Sequence, residues 1–198
     1  SAASDVYKRQ VYHTLVRPVI VLVDPICDKI LLMSKKKMKK TLPEQVMDKH
    51  KVKYEPLELN ILDKTPVQRD AILETFHVKH DDIYKTLAAH GDKTGPIVAV
   101  LPITKHLSLK KLAAASGNKK VAMLPLKELQ RTTGYIHGAN NPVGIWQNKH
   151  FPIYFDLSAA EQPFILVSGG ELSRSDKINP RDIASLVGAE FVDLLEHD

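Results

Sequence analysis

The stretch IYKTLAAHGDKTGPIVAVLPI, residues 83–103, determines the fold class of this chain. Residues 83–89 have the composition of a strand, and residues 90–95 (HGDKTG) are a cluster of turn formers. Residues 97–103 then form a nearly continuous apolar run. The pattern predicts a β-hairpin. Lys85 lies inside the first apolar strand, where a charged side chain is unexpected if that strand is central to a sheet.

N-terminal to the hairpin, two capping patterns predict helix starts. Thr41 with Glu44 predicts a helix that ends near Lys49, and residues 52–59 then have a strand pattern. The segment Thr65-Pro66-Val67-Gln68 repeats the start signal, with proline at the first helical position. This second helix is expected to bury one apolar stripe, formed by Val67, Ala71, Ile72 and Phe76.

C-terminal to the hairpin, helix and strand signals continue to alternate. Helices are expected from Ser108 to Gly117, from Pro125 to just before Gly134, and from Asn179-Pro180 to Gly188. Strands are expected at residues 121–124, 153–156, 164–168 and 191–194. Several adjacent strands are joined by turns too short for crossover connections. The sequence therefore predicts an α/β or α+β domain with a mixed sheet.

The length of 198 residues and the 43% hydrophobic content fit one domain with a real core. Five of the lysines lie in KKKMKK, residues 35–40, whereas residues 41–198 hold 19 basic and 20 acidic residues and are nearly neutral. We expect residues 1–40 to be an extension outside the domain, namely upstream sequence followed by a lysine-rich tail. Residues 41–198 are expected to form the domain.

Composition also indicates the cellular compartment of the chain and whether a membrane anchors it. Its single cysteine, Cys27, excludes an intrachain disulfide framework and a cysteine-rich zinc site, and is typical of a reducing, cytosolic protein. Charged residues and prolines interrupt the apolar residues 15–32, so this segment predicts neither a membrane span nor a signal peptide. We expect no membrane association.

The common catalytic motifs are absent from the sequence. It contains no HExxH, no Walker loop, no GxGxxG and no GxSxG. His77 and His80 are three residues apart without a matching carboxylate set, and they fit ordinary surface histidines better than metal ligands. No cofactor and no metal is expected.

Three segments remain as candidates for chemistry. Lys85 in Tyr84-Lys85-Thr86 could hold a phosphate or an oxyanion, or it could lie on a solvated strand face. Residues 134–144 (GYIHGANNPVG) could be a recognition loop or a long connector. Residues 167–170 (VSGG) could offer main-chain amides to a ligand, or could simply end a strand.

Taken together and in order, these segments resemble those of the YbaK/EbsC-type Cys-tRNA(Pro) deacylases, which are relatives of the editing domain of prolyl-tRNA synthetase. The resemblance also includes LSLKKLAAASGNKKVAML (107–124) and Arg131-Thr132-Thr133-Gly134-Tyr135, and it extends from about Thr41 to Asp198. It implies a single α/β domain around a mixed, barrel-like sheet. It also implies a trans-acting enzyme that removes cysteine mischarged onto tRNA(Pro) and works in the cytoplasm.

The resemblance assigns roles to particular residues. Lys85 would be the key catalytic residue, and Thr86 would line the site beside it. The terminal adenosine and the aminoacyl ester would be held by the two glycine-containing segments, through Gly138, Asn141, Pro142, Gly144, Ser168, Gly169 and Gly170. In the chemistry proposed for this family, the thiol of the substrate cysteine attacks its own ester. The implied partners are aminoacyl-tRNA and prolyl-tRNA synthetase.

The sequence departs from the family pattern at several positions. Leu59 occupies the place of a frequent tyrosine, Ala139 that of a glycine, Asn141 that of a serine and Ser175 that of an aspartate, with Asp176 next to it. Such differences bear on amino-acid specificity, since one methylene or hydroxyl in a pocket is worth only ~1–3 kcal/mol. Two alternatives therefore stay open: an Ala-tRNA(Pro)-type deacylase of the same fold, and a non-catalytic module that binds tRNA or a synthetase.

Overall fold

A computed structural model of the chain describes residues 39–59, 61 and 64–196. The expectations for residues 1–38, including the upstream sequence and most of the lysine tail, lie outside the described residues. Within the described part there are seven α-helices: α1 Leu42–Lys49, α2 Pro66–Thr75, α3 Leu109–Ala115, α4 Leu126–Thr133, α5 Pro142–Lys149, α6 Leu157–Ala160 and α7 Pro180–Val187. The strands are β1 Tyr54–Glu58, β2 Tyr84–Gly91, β3 Gly95–Pro102, β4 Val121–Met123, β5 Ile153–Asp156, β6 Ile165–Ser168, β7 Arg174–Ile178 and β8 Glu190–Val192.

The predicted hairpin is present and forms the centre of a five-stranded sheet in the order β4-β2-β3-β5-β8. β2 and β3 pair antiparallel from Tyr84↔Pro102 to Gly91↔Gly95. β3 and β5 pair in parallel, as do β5 and β8, so the sheet is mixed as expected. β4 pairs only with the last residues of β2, from Ala89 to Gly91. The remaining edge of β2 is therefore not covered by β4.

A second, antiparallel sheet has the order β1-β7-β6. It meets the first sheet at an isolated parallel bridge between Ile83, at the start of β2, and Leu166 in β6. The mixed α/β class is confirmed, with the strands divided between two adjoining sheets. The start of β2 lies where these sheets meet, and this junction positions the candidate site.

Helix starts follow the capping signals closely. Thr65 accepts a hydrogen bond from the backbone N–H of Gln68, and Ser108 accepts one from that of Lys111, so both cap their helices as predicted. Gly134 and Gly188 end α4 and α7 in the left-handed conformation that glycine adopts without strain. These local rules fix where the elements begin and end.

The expected apolar stripe of α2 is half right. Ile72 and Phe76 are partly buried, as predicted, whereas Val67 is 78% exposed and Ala71 is exposed. The buried residue of the helix is Leu73, which the prediction left out and which packs with Leu57, Leu59, Val78 and Leu166. The buried face is therefore rotated toward Leu73 relative to the predicted stripe, because contacts with the second sheet select it.

Three further elements, α5, α6 and β7, were not expected. The predicted loop 134–144 ends at Asn141, which caps α5 by accepting a hydrogen bond from Gly144 N–H at 2.9 Å. β7 was missed as well, because its sequence RSDKI has no apolar alternation. Its buried positions hold Arg174, Asp176 and Ile178, so two charged residues occupy positions where a strand pattern calls for apolar ones.

Candidate functional site

A cleft of about 390 Å³ opens at the junction of the two sheets. Five consecutive residues of β2, 84–88, line it. Side chains of a strand alternate between the two faces of its sheet, so a run of five lining residues means that the main-chain edge of β2 faces the cleft. Gly138 and Asn140 line another side, and Ser168 and Arg174 line the opposite wall. The cleft therefore brings together parts of all three candidate segments.

Lys85 is half-buried on the wall formed by β2. Its Nζ donates hydrogen bonds to the backbone carbonyls of Ile103, at 3.2 Å, and Lys105, at 2.5 Å. These partners are neutral, so they orient the ammonium group without cancelling its charge. Burial lowers the pKa of Lys85 below that of a free lysine. The result is a partly desolvated cation at the edge of the cleft, suited to an oxyanion or another anionic group.

Thr86 follows Lys85 in β2, and its side chain leaves the strand on the opposite face. Its hydroxyl is buried and has no hydrogen-bond partner among the described residues. Its backbone carbonyl accepts a long hydrogen bond, 3.4 Å, from the side chain of Asn140. The hydroxyl of Thr133, which is fully buried, donates to the side-chain oxygen Oδ1 of Asn140 at 3.1 Å. Asn140, which the sequence did not single out, thus ties the loop before α5 to the edge of β2.

The residues expected in the first glycine segment divide into two groups. Gly138 lines the cleft, at φ 86°, where a side chain would be strained. Asn141, Pro142 and Gly144 are buried at the start of α5 instead. A Cβ on Gly144 would lie 1.8 Å from the hydroxyl oxygen of Tyr135, so this glycine makes room for the tyrosine ring. Substrate binding by these three residues stays a prediction.

The second glycine segment forms a turn after β6. Ser168 lines the cleft, and its backbone carbonyl accepts a hydrogen bond from the side chain of Asn141. Its hydroxyl accepts one from the backbone N–H of Gly170 at 3.2 Å. Gly169 and Gly170 do not line the cleft, and they pack against Arg174 and Pro43 respectively. Asn141 therefore connects the two segments that the sequence analysis had paired only by resemblance.

A buried ion pair lies behind this turn. The Arg174 guanidinium donates to both carboxylate oxygens of Glu44, with Nε at 2.6 Å from Oε1 and Nη2 at 2.7 Å from Oε2. Arg174 is 8% exposed and Glu44 is 1% exposed. Two-point pairing of this kind fixes orientation as well as charge. No sequence signal pointed to this pair, because 130 residues separate its members.

Asp176 is fully buried next to the same pair, and its carboxylate oxygens have no conventional donor among the described residues. Burial and the negative charge of Glu44 raise its pKa to about 7, although Arg174 acts in the opposite direction. Below a pH of about 7, Asp176 is therefore mostly protonated. A neutral carboxyl group then lies beside the Arg174–Glu44 ion pair.

The walls of the cleft are mostly apolar, and its rim includes the exposed side chains of Ile103, Met123 and Leu126. Its lining residues with a basic side chain are Lys85, His137 and Arg174. In the described part of the chain, no three His, Cys, Asp or Glu side chains come close enough to bind a metal ion together. None of the helices described here combines the length and the apolar character that spanning a bilayer requires.

The described residues thus combine a mixed α/β fold with a small cleft that presents the ammonium group of Lys85. The model of the aminoacyl-tRNA editing domain family matches residues 68–186, which include β2, both glycine-containing segments and most of α7. The chain belongs to this family. A protein of Enterococcus faecalis (strain ATCC 700802 / V583), named as a Cys-tRNA(Pro)/Cys-tRNA(Cys) deacylase, EbsC, is 39% identical over 163 residues. The match covers 82% of this chain and 98% of that protein.

Solved structures show the same fold. A crystal structure described as a trans-editing enzyme for prolyl tRNA synthetase aligns with a TM-score of 0.66 at 21% identity, over 80% of this chain and all of that one. A scaffold protein used to present grafted epitopes aligns with a TM-score of 0.63 at 22% identity, over 79% of this chain and 96% of the other. At these identities the likeness concerns architecture alone, and it confirms the editing-domain fold expected from the sequence.

Proposed function

We propose that this member of the editing-domain family removes cysteine from mischarged tRNA(Pro). The support is twofold: a relative that this chain matches over 98% of its length carries that activity in its name, and Lys85 faces a cleft walled by Gly138 and Ser168. The observation that carries the proposal is the Lys85 ammonium, held by two carbonyls at the mouth of this cleft. An amino acid esterified to a terminal ribose is small enough to enter it.

The proposed reaction uses the substrate's own nucleophile. The thiol sulfur of the bound cysteine attacks the ester carbonyl carbon, and a carbon–sulfur bond forms as the carbon–oxygen bond to the ribose breaks. The thiol proton passes to the departing ribose oxygen. The products are a cyclic thioester of cysteine and tRNA with a free terminal hydroxyl. The thioester then reacts with water to give cysteine.

In this scheme the protein supplies orientation and charge. Lys85 stabilises the negative charge that develops on the ester carbonyl oxygen, and its low hydration makes this interaction stronger than it would be in water. The apolar walls exclude water from the ester. Gly138 and the Ser168 turn hold the substrate so that sulfur and carbonyl carbon stay within reach of each other.

The decisive experiment is a deacylation panel with Cys-, Ala- and Pro-charged tRNA(Pro). We expect release of cysteine at least ten-fold faster than release of alanine or proline. Ser-tRNA(Pro) serves as the matched substrate control, since it replaces only the sulfur, and its release is expected to be slow. Faster release of alanine would favour an Ala-tRNA(Pro)-type enzyme, and no release from any substrate would favour a binding module.

We also propose that prolyl-tRNA synthetase provides selectivity for the tRNA. Residues 41–198 carry almost equal numbers of acidic and basic residues, so the domain alone is expected to bind tRNA weakly and in a salt-dependent way. Charged tRNA is used during protein synthesis, so we place the protein in the cytoplasm. Titration of tRNA(Pro) at two salt concentrations, with and without the synthetase, tests whether the synthetase provides the selectivity for tRNA. A tight, salt-insensitive complex with tRNA alone would contradict it.

A further inference from the structure

We propose that Arg174, paired with Glu44, is a positioning residue that sets the placement of the Ser168–Gly169–Gly170 turn against the cleft. The effect on catalysis rests on the proposed deacylase function, whereas the effect on the turn does not. The proposal concerns a side chain in β7 and one in α1, neither of which was among the residues expected from the sequence.

The turn lies directly on Arg174. The backbone N–H of Gly169 donates to the Arg174 carbonyl at 2.8 Å. A Cβ on Gly169 would lie 2.7 Å from Arg174 Cγ, so the stem of the arginine fills the space under this glycine. Arg174 therefore contacts the turn through its main chain and through its side chain.

The other end of the arginine is fixed by α1. Glu44 receives two hydrogen bonds from the guanidinium, and its Oε2 also accepts one from the backbone N–H of Thr41 at 3.1 Å. The neighbouring Pro43 lies under Gly170, where a Cβ would come within 3.1 Å of its Cγ. Thus two successive residues of α1 support two successive parts of the turn, one by charge and one by contact.

A buried ion pair is weak evidence for stability, because removing two charges from water offsets most of their attraction. Its geometric value is larger, since a two-point contact permits only one orientation of the arginine. Replacing both members with apolar residues of similar length is therefore expected to preserve folding and to lose the orientation. A double variant that folds normally but loses activity would therefore indicate that the pair positions the turn, whereas a purely stabilising pair would affect folding alone.

The test uses three variants of the full chain, Arg174→Lys, Glu44→Gln and the double variant Glu44→Met/Arg174→Met. Leu112→Ala is the control, because Leu112 is fully buried in a different apolar cluster. All are assayed for kcat and KM on Cys-tRNA(Pro) at pH 6, where Asp176 retains its proton. Melting temperatures and amide hydrogen exchange of residues 165–175 are measured on the same samples.

We expect each of the three variants to lose about 10–100-fold in kcat/KM, the scale of a small misplacement in a catalytic site. We expect faster exchange at Gly169 and Gly170 in all three, with the melting temperature of the double variant close to that of the parent. Leu112→Ala should melt earlier than the double variant and retain its kcat/KM while folded.

Three results overturn the proposal. They are unchanged exchange in the turn, parental kcat/KM in the well-folded double variant, or an equal loss of kcat/KM in Leu112→Ala. If the parent protein releases no amino acid from any tRNA, the proposed function fails. The exchange measurement still decides whether the ion pair holds the turn.

Discussion

The two walls of the cleft present charge in different ways. On the β2 wall, a half-buried ammonium group rests on two neutral carbonyls and remains available to a substrate. On the opposite wall, the guanidinium of Arg174 is nine-tenths buried and already neutralised by Glu44, so it acts on the turn in front of it. The comparison suggests a rule to test: the partly exposed cation acts on a substrate, and the buried, paired cation holds the structure around it. Substitutions on the first wall should affect the rate directly, and those on the second should affect the rate through the position of the glycine turn.

The largest expected effect follows from removing the charge on the β2 wall. Lys85→Ala should lower the deacylation rate by about 10²–10³-fold, the usual cost of losing one donor to a developing oxyanion. Stability should change little, because Lys85 is half-buried and its partners can bind water instead. Single-turnover deacylation and thermal melting check both statements.

Lys110→Ala is the matched control, since Lys110 is exposed on α3 and does not line the cleft. It should retain the parental rate. If Lys85→Ala kept the parental rate, Lys85 would not be a catalytic residue, and the β2 wall would have no assigned function.

A substitution in the glycine turn after β6 should lower both stability and activity. Gly170→Ala places a Cβ at φ 91° and 3.1 Å from Pro43 Cγ, which is expected to lower the free energy of unfolding by about 1–3 kcal/mol. The displaced turn should reduce kcat/KM about 10-fold. Urea unfolding and steady-state kinetics measure the two effects.

Gly95→Ala separates backbone strain from contact. Gly95 has φ 73°, but its added Cβ would meet no atom within 4 Å, and it lies in the hairpin turn. We expect a loss of about 1 kcal/mol in the free energy of unfolding and unchanged kinetics. Equal kinetic losses in both glycine variants would show that the turn has no special place in the site.

The buried cluster should make stability depend on pH. The folded-state pKa of Asp176, about 7, lies above the unfolded value of 3.8, so the folded chain holds the proton more tightly. The stabilising contribution is present below pH 3.8 and is lost as pH rises to about 7, with a total of about 4 kcal/mol. Asp176→Asn mimics the protonated form and should remove this dependence. The free energy of unfolding in urea is measured at pH 5 and at pH 8. An equal change between the two pH values in parent and variant would contradict the assignment of the pH dependence to Asp176.

The smallest effect is expected for an exposed ion pair. Lys111 Nζ lies 2.8 Å from the Asp193 carboxylate, and the aspartate side chain is 54% exposed. Lys111→Met should change the free energy of unfolding by less than about 1 kcal/mol and leave deacylation unchanged. Equilibrium unfolding measures this. If Lys111→Met lowered the free energy of unfolding as much as Gly170→Ala does, the exposed ion pair would matter to stability, and the contrast between exposed and buried charge would fail.

Much of the fold could be predicted because its signals are local. The caps at Thr65 and Ser108, the glycine ends of helices and the hairpin turn each depend on a few neighbouring residues. The start of α5 was missed even though Asn141-Pro142 repeats the signal that Asn179-Pro180 gave correctly for α7. The glycines around Asn141 favoured a loop, and the burial that stabilises α5 comes from distant elements.

The site was only partly predictable for the same reason. Lys85, Thr86, Gly138 and Ser168 line one cleft, whereas their roles in binding and catalysis stay predictions. Asn140 and Arg174 belong to no motif, and the capping pattern that contains Glu44 gives no sign of its pairing with Arg174; both members of that pair are charged residues in buried positions. A charged residue is expected at the surface unless its partner is known, and that partner can lie anywhere along the chain.

The amino-acid sequence by itself determined the order of most elements, the central hairpin and the presence of a lysine within an inner strand. Only the tertiary structure decided which face of α2 is buried, that β7 is a strand, and that Glu44 neutralises Arg174 behind the glycine turn. Turn and capping signals act within about four residues, whereas burial and charge pairing depend on contacts between residues far apart in the chain. Folding alone brings such residues together.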